Sequence, residues 1–151
     1  MQATNLKPQQ LDDALRASAE RRFIAPPRGG WLKAIRTALG ITTRQFAARV
    51  GLAHSTIVEA EQGEAAGTIS LGQLRRLADA LECDLRYVLV PRKPLVDRLD
   101  EQAERKAREQ VASLAHTMAL EAQGTTNEFQ EKQIAVAKDE LLRGRPSRLW
   151  D

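Results

Sequence analysis

The chain has 151 residues, of which 42% are hydrophobic and only 4% aromatic, so its core must consist mostly of leucine, alanine, valine and isoleucine. It contains no run of about 18 or more apolar residues, which excludes a membrane-spanning helix. Cys83 is the only cysteine, which excludes an internal disulfide and a cysteine-based zinc site. Because this cysteine usage suits a reducing compartment and the first residues do not resemble a signal peptide, we expect a cytoplasmic protein.

The net charge of +3 is unevenly distributed along the chain. Residues 1–93 contain 14 Lys/Arg against 9 Asp/Glu, a net charge of +5, whereas residues 94–151 contain 9 against 11, a net charge of −2. This imbalance predicts that a polyanion binds the first part of the chain. On charge alone, a solvated surface with randomly placed charges explains the numbers equally well.

Short helices are predicted in the first part of the chain. Apolar residues at helical spacing predict a helix over residues 7–22, and the sequence APPRGG at 25–30 then forms a turn or linker. A second apolar face predicts a helix over residues 31–39, which Gly40 ends as a C-cap.

The next two helices are separated by a single glycine. Thr42 or Thr43 can cap the first of them, and with Thr42 as the cap Gln45 can complete a capping box. Gly51 ends this helix after two turns. A further helix is predicted over residues 54–61, followed by a loop through Thr68.

Ser70 caps the last predicted helix of this region, which continues to Leu81. The following sequence DLRYVLVP alternates apolar and polar residues, with Leu85, Tyr87 and Leu89 on one face, and predicts a short strand at 85–90. A short fifth helix is the alternative at this place.

The C-terminal part is predicted to be an αα-hairpin. A helix without any breaker covers residues 95–122, a turn follows at 124–127 with Thr126 or Asn127 as the cap, and a second helix runs to Leu142. The long helix carries a narrow apolar stripe of Val96, Leu99, Ala103, Ala107, Val111, Leu114 and Met118. This stripe either packs on its own domain or, as we favour because of its length, forms a dimer or partner surface.

The segment TRQFAARVGLAHSTIVEAEQ has the pattern of a helix-turn-helix. Ala47 is small where the two helices cross, and Gly51 stands where a left-handed turn residue is required. Apolar residues that lock the crossing angle are Phe46, Val50, Leu52, Ile57 and Ala60. The alternative is a helical bundle that merely packs this way.

The outward side of the helix at 54–61 favours DNA binding over simple packing. It presents short or hydrogen-bonding side chains that can approach base edges in a major groove, namely Ala53, His54, Ser55, Thr56 and Glu59. Ser55 and Thr56 can donate or accept hydrogen bonds, and Glu59 can accept from cytosine. His54 can donate to guanine or, when protonated, to a phosphate, and Ala53 can contact a thymine methyl group.

Phosphate contacts are predicted on both sides of this helix. Thr42 and Thr43 lie at a helix N-terminus, where amide groups favour an anion, and Arg44 is adjacent. Thr68 and Ser70 can contact the DNA backbone on the other side of the groove.

The segment AIRTALGITTRQFAARVGLAHSTIVEAEQG, followed by LRRLADAL, resembles the xenobiotic-response-element, or lambda-repressor-like, family of helix-turn-helix regulators over about residues 30–90. The resemblance implies a bundle of about five helices, dimeric operator binding, and the helix at 54–61 in the major groove. It also implies a structural ion pair between Arg36 and Glu61.

The whole chain is similar to a narrower group, the mobile mystery protein A regulators, through GGWLKAIR, CDLRYVLVPR and the end RPSRLWD. That resemblance implies a mobile-element context, a neighbouring Fic-domain protein and an antitoxin-like role. Ser55 and Glu59 have the spacing of a Fic-inhibitor motif, but Ala60 follows them, so we do not predict direct inhibition by this helix.

Enzyme chemistry has little support in the sequence. His54 and His116 are the only histidines, no glycine-rich phosphate loop follows a strand, and Cys83 is best explained as a small core residue. We therefore predict no catalytic residues, no metal and no cofactor. The sequence RGRP at 143–146 resembles an AT-hook core but is better explained as a basic tail. Leu149 and Trp150 are expected to dock on a helix or a partner.

Together these features predict a mainly α protein with a five-helix, lambda-repressor-like bundle, a short strand and a C-terminal helical hairpin. We divide it into an N-terminal helix and linker at 1–29, a DNA-binding domain at 30–91 and a C-terminal extension at 92–151. The predicted function is a sequence-specific regulator, a homodimer that represses its own operon at a palindromic operator. The alternative is an antitoxin-like interaction protein that neutralises a Fic-domain partner.

Overall fold

The computed structural model describes residues 7–120 and 126–151, and these residues form a mainly helical structure that confirms the predicted fold class. The α-helices of the described ranges are α1 (Pro8–Ala19), α2 (Trp31–Ala38), α3 (Thr43–Val50), α4 (His54–Ala66), α5 (Leu71–Ala80), α6 (Leu95–Leu120) and α7 (Asn127–Arg143), and a 3-10 helix (Pro146–Leu149) follows them. None of the helices in these ranges has the length and apolar character that crossing a membrane requires.

Two compact units divide the chain. One is Arg21–Val88, which contains α2 to α5 and is called the α2–α5 unit below; the other, called the α6–α7 unit, combines Met1–Glu20 with Leu89–Asp151. α1 packs against α6 within the second unit. In the division predicted from the sequence, at 1–29, 30–91 and 92–151, the N-terminal helix and the C-terminal helices belong to separate parts.

The core of the α2–α5 unit is aliphatic apart from a single phenylalanine. Its buried residues are Leu32, Phe46, Ala47, Ile57, Ala60, Leu77 and Leu81. Phe46, Ile57 and Leu77 are fully buried, and each contributes roughly 1.5–3 kcal/mol relative to an exposed position. The core therefore includes the small and apolar positions that the helix-turn-helix pattern predicts at the crossing of α3 and α4.

Helix α4 is longer than the sequence pattern indicates. The predicted helix ended at residue 61 and a loop followed, whereas the helix continues through Gly63 to Ala66. Gly67, with a φ of 74°, then ends it in the left-handed conformation, and its N–H donates to the carbonyl of Glu64. The extension brings Glu64 onto a helical turn, where its carboxylate contacts another helix.

The predicted strand at 85–90 is not formed, and neither is the alternative fifth helix. Residues 84–91 have no regular secondary structure, so the α2–α5 unit contains four helices where five were expected. A strand requires a neighbour that accepts its ladder hydrogen bonds, and the described residues contain no other strand that could serve. The apolar side chains of Tyr87 and Leu89 are exposed as a consequence.

Helices α6 and α7 pack side by side, as predicted for the C-terminal hairpin. Their shared core consists of Ala107, Val111 and Ile134, with Ala137 and Leu141 at its edge. Thr126 is the N-cap of α7, because its hydroxyl accepts a hydrogen bond from the N–H of Phe129 at 3.4 Å. The predicted end of the long helix at 122 and the first part of the turn at 124–127 lie outside the described residues.

The apolar stripe of α6 is partly covered by the chain itself. Ala103, Ala107 and Val111 are buried within the α6–α7 unit, whereas Val96 and Leu114 are exposed at the two ends. The side chain of Met118 lies outside the described residues. The interpretation of the whole stripe as a dimer or partner surface is therefore wrong for its middle, because α7 and the C-terminal residues supply the apolar cover.

A buried carboxylate holds α1 against α6. The two oxygens of Asp12 accept hydrogen bonds from the N–H groups of Leu95 and Val96 at 2.7 and 3.0 Å. These amides belong to the first turn of α6 and have no acceptor within their own helix. Asp12 therefore caps α6 from a distance of more than 80 residues along the chain.

The C-terminal residues also dock on α6. Leu149 is 2% exposed, and its carbonyl accepts a hydrogen bond from Gln102 at 2.5 Å. Trp150 stays half exposed, with the guanidinium of Arg98 at 6.0 Å from the centre of its ring. The expected docking is confirmed for Leu149.

Candidate nucleic-acid interface

The N-terminus of α3 is capped by its own sequence. The hydroxyl of Thr42 accepts from the N–H of Gln45 at 3.2 Å, and the side chain of Gln45 accepts from the N–H of Thr42 at 2.9 Å. Thr42 is thus the cap, and the predicted capping box is present. The N–H groups of Thr43 and Arg44 have no hydrogen-bond partner in the described part of the chain, so they are available to an anion.

The turn between α3 and α4 is closed by backbone hydrogen bonds. Gly51 has a φ of 71°, a left-handed conformation that glycine adopts without steric cost. The N–H of Leu52 then donates to the carbonyl of Ala47 at 3.0 Å. The guanidinium of Arg76 on α5 donates to the carbonyl of Val50 at 3.2 Å, so this carbonyl at the end of α3 has a hydrogen-bond partner. This role of Arg76 was not predicted from the sequence.

The predicted base-contact residues lie at the surface. Ala53, His54, Ser55 and Glu59 are exposed, and Thr56 is half-buried. The residues predicted to contact phosphate are likewise accessible: Thr42, Arg44, Thr68 and Ser70 are exposed, and Thr43 is half-buried.

Some of these residues are brought together by the fold. The Nε2 atom of His54 lies 2.7 Å from the hydroxyl oxygen of Thr43, which joins the first residues of α3 and α4. Thr56, Glu59 and Thr68 line one shallow groove of about 140 Å³. Ser55 and Arg44 make no side-chain hydrogen bond within the described part of the chain.

One groove residue was not predicted. Gln73, in the first turn of α5, lines the same groove as Thr56 and Glu59. Its N–H donates to the hydroxyl of Ser70 at 3.1 Å, so Ser70 caps α5 as predicted. The signal that could have identified Gln73 is its place three residues after this cap.

A buried ion pair joins α2 to α4. The Nε and Nη2 atoms of Arg36 donate to the two oxygens of Glu61 at 2.5 and 3.0 Å, and Nη1 donates to the carbonyl of Ile41 at 2.9 Å. The hydrogen bonds that Arg36 donates to Glu61 raise the pKa of Arg36 above its ordinary value, against the opposing effect of burial. Both side chains form hydrogen bonds inside the α2–α5 unit and are not available to contact DNA.

A second contact between the same two helices was missed. The carboxylate of Glu64 accepts hydrogen bonds from the N–H groups of Trp31 and Leu32 at 2.8 and 2.9 Å and so caps α2. A Cβ atom at Gly30, the residue before α2, would lie only 2.7 Å from this carboxylate. Because residues 61–68 are predicted to form a loop, Glu64 is not predicted as a cap.

The charge of the α2–α5 unit favours a polyanion. Residues 21–88 contain 10 Lys/Arg against 6 Asp/Glu, a net charge of +4. Two of the acidic residues, Glu61 and Glu64, are engaged inside the unit. Arg44 and Arg49 are exposed and form no ion pair with any described residue. Within residues 7–120 and 126–151, no group of three or more His, Cys, Asp or Glu side chains could hold a metal ion.

Comparison with known families identifies this region. The model of a family described as helix-turn-helix matches residues 32–88. No curated protein and no solved structure matches the chain. Residues 32–88 are therefore a helix-turn-helix domain of the xenobiotic-response-element-like kind, which points to a DNA-binding regulator.

Proposed function

We propose that the protein is a sequence-specific DNA-binding repressor that acts as a homodimer on its own operon. The observation that carries this proposal is the combination found at α3 and α4. Free amides at the start of α3 lie beside a helix whose outward side chains are short, polar and exposed. Such an arrangement suits a helix that enters the major groove while its neighbour contacts the backbone.

The phosphate contacts would position the domain before any base is read. The amides of Thr43 and Arg44 and the charge of Arg44 form an anion site at the α3 N-terminus. Thr68, which lines the groove beside α4, and the exposed Ser70 would contact the other strand. These contacts carry no sequence information and predict a strong dependence of affinity on salt.

The base contacts would come from the first turns of α4. Ser55 and Glu59 are separated by four residues and therefore lie on one side of the helix. The carboxylate of Glu59 can accept from the amino group of cytosine, and the hydroxyl of Ser55 can donate or accept. Ala53, His54 and Thr56 extend the same contact surface.

A homodimer would place two copies of α4 in successive major grooves about 34 Å apart, on a palindromic operator. Exposed apolar side chains support an interface with a second chain, because they are costly to leave in water. Tyr87, Leu89 and Val90 are each at least 60% exposed and follow one another closely along the chain. Sedimentation of the purified protein and footprinting on its operator would test the dimer and the spacing.

The first experiment is binding of the purified protein to its own upstream DNA and to a scrambled duplex at two salt concentrations. We expect a preference for the upstream DNA that persists at the higher salt. Ser55→Ala combined with Glu59→Ala should abolish this preference. Glu109→Ala combined with Ser113→Ala is a matched control, because it removes the same two residue types at the same spacing from exposed positions of α6. Equal, salt-sensitive binding to both duplexes would contradict sequence-specific recognition.

A second candidate is an antitoxin-like interaction protein that neutralises a Fic-domain partner. It rests on the narrower resemblance and on exposed apolar residues of the α6–α7 unit, of which Leu114 and Val136 are 60% and 61% exposed and Phe129 is 48% exposed. Removing α7 is not a clean test, because α7 covers the buried stripe of α6.

Point substitutions test this candidate more sharply. Phe129→Glu combined with Val136→Glu should prevent co-purification with the neighbouring Fic-domain protein while operator binding is retained. Ala135→Glu, at another exposed position of α7, is the control for added charge. Unchanged co-purification of the double variant would exclude this face as the partner surface.

A further inference from the structure

A polar contact joins α3 and α4 at the candidate interface. His54 is the first residue of α4, and its Nε2 atom lies 2.7 Å from the hydroxyl oxygen of Thr43, the first residue of α3. His54 is exposed, and the free amides of Thr43 and Arg44 lie immediately beside this contact. The imidazole is therefore one hydrogen bond away from the place where α3 would receive a DNA phosphate.

We propose that His54, held by Thr43, couples DNA binding to the uptake of a proton, so that operator affinity rises as the pH falls below about 7. This inference rests on the proposed function and adds a regulatory property to the same site. Histidine is the side chain whose charge ordinarily changes between about pH 5 and 8, so a physiological pH change is sufficient.

The chemistry of the imidazole explains the coupling. A neutral ring carries one N–H group, whereas a protonated ring carries an N–H at both nitrogens. With Nε2 beside the Thr43 hydroxyl, the protonated ring presents Nδ1–H as a charged donor, whichever nitrogen carries the proton in the neutral ring. It also adds a positive charge beside a helix N-terminus that already favours an anion. The proton comes from solvent and is taken up as the complex forms.

The charges around His54 determine the direction of the effect. No hydrogen bond or ion pair joins its imidazole to a carboxylate in the described part of the chain. The charged groups on the elements packed against α4, and on α4 itself, are Lys33 and Arg36 on α2, Arg44 and Arg49 on α3, Arg75, Arg76 and Asp79 on α5, and Glu59, Glu61 and Glu64 on α4. Arg36 and Glu61 form an ion pair with each other. Most of these groups are cationic. The phosphates of bound DNA would reverse this balance.

The test uses the fact that the chain has only two histidines. The dissociation constant for the upstream DNA is measured from pH 5.5 to 8.5 at constant ionic strength, for the wild-type protein, His54→Gln and His116→Gln. His116 is exposed on α6, in the other unit, and is the matched control. One linked proton changes affinity by at most about tenfold per pH unit, so the ceiling between pH 7.5 and pH 5.5 is about 100-fold. Within this ceiling, we expect binding to be at least about fivefold tighter at pH 5.5 than at pH 7.5 for the wild type and His116→Gln. His54→Gln should show no such change.

Three results would overturn the inference, and the first two are a pH dependence that His54→Gln retains and one that His116→Gln abolishes. Operator binding by the wild type that does not vary with pH would overturn it while leaving the proposed function intact. A wild-type protein that does not prefer its own DNA at any pH would contradict the proposed function itself. Thr43→Val tests the holding role, because it should reduce the pH dependence; an unchanged pH dependence would remove Thr43 from the mechanism.

Discussion

Glu64 lies in the last turns of α4, and its carboxylate accepts hydrogen bonds from two amides of α2, those of Trp31 and Leu32, at 2.8 and 2.9 Å. The residue before α2 is Gly30, which has no side chain to cap the helix itself. Loss of a helix cap ordinarily costs about 1 kcal/mol, and the amide of Leu32 would be left partly buried without a partner. We therefore expect Glu64→Ala to lower the free energy of unfolding of the α2–α5 unit by about 2 kcal/mol.

Gly30→Ala should be more damaging for two separable reasons. The backbone of Gly30 has φ and ψ of 85° and 165°, a region that is almost restricted to glycine, so a Cβ atom there costs about 2 kcal/mol in backbone strain. The Cβ would also lie 2.7 Å from the Glu64 carboxylate and displace it, which removes the cap as well. The expected total is about 4 kcal/mol.

The two substitutions should therefore not be additive. In the Glu64→Ala background the cap is already absent, so Gly30→Ala should cost only its backbone part, about 2 kcal/mol. Urea unfolding followed by fluorescence would measure this cycle. In a Trp150→Phe background Trp31 is the remaining tryptophan and reports on the α2–α5 unit.

Gln62→Ala, at an exposed position of α4, is the control and should change stability by less than about 0.5 kcal/mol. If Gly30→Ala has the same cost with and without Glu64, the carboxylate does not hold α2 and the reasoning is refuted.

Three further predictions concern other buried or paired groups. Glu61→Ala would leave the guanidinium of Arg36 without its carboxylate partner and should lower the free energy of unfolding, measured with urea, by about 3–5 kcal/mol. Arg36→Met combined with Glu61→Leu should recover much of this loss. Equal losses in the two variants would refute the pairing argument. The pKa of Glu104 is lowered, first by its hydrogen bond with Arg108 and then by a lysine of α7. A carboxylate whose pKa is lower in the folded state adds stability at pH values above its ordinary pKa, and this stability is lost as the pH falls towards the lowered pKa. Acid unfolding of the α6–α7 unit below about pH 4 should therefore be less steep in Glu104→Gln than in the wild type. An unchanged unfolding profile would contradict this. Asp12→Ala should lower the free energy of unfolding by about 2 kcal/mol and speed amide exchange in α1 and at the start of α6. Asp13→Ala, at an exposed position, is the control. Amide protection equal to that of the wild type would show that this cap does not hold α1.

The features of the interface that depend on neighbouring residues could be predicted from the sequence. The capping box of Thr42 and Gln45 and the left-handed Gly51 involve groups within four residues of each other, so a local pattern specifies them. The burial of Ala47 and Phe46 follows from helical spacing. For the same reason, the mainly helical class and the crossing of α3 and α4 were predictable.

Contacts between distant residues were decided only by the tertiary structure. The hydrogen bond from the N–H of Trp31 to Glu64 spans 33 residues and that from the N–H of Leu95 to Asp12 spans 83. In the sequence, neither carboxylate can be told from a solvated one. Residues 85–90 have strand propensity, but a strand forms only where another strand accepts its hydrogen bonds. The apolar stripe of α6 was visible in the sequence, yet which surface covers it depended on where α7 packs. The sequence by itself therefore determined the helices, their local caps and the polar face of α4, because short-range geometry specifies them, whereas the distant caps and the cover of α6 required the packing of the folded chain.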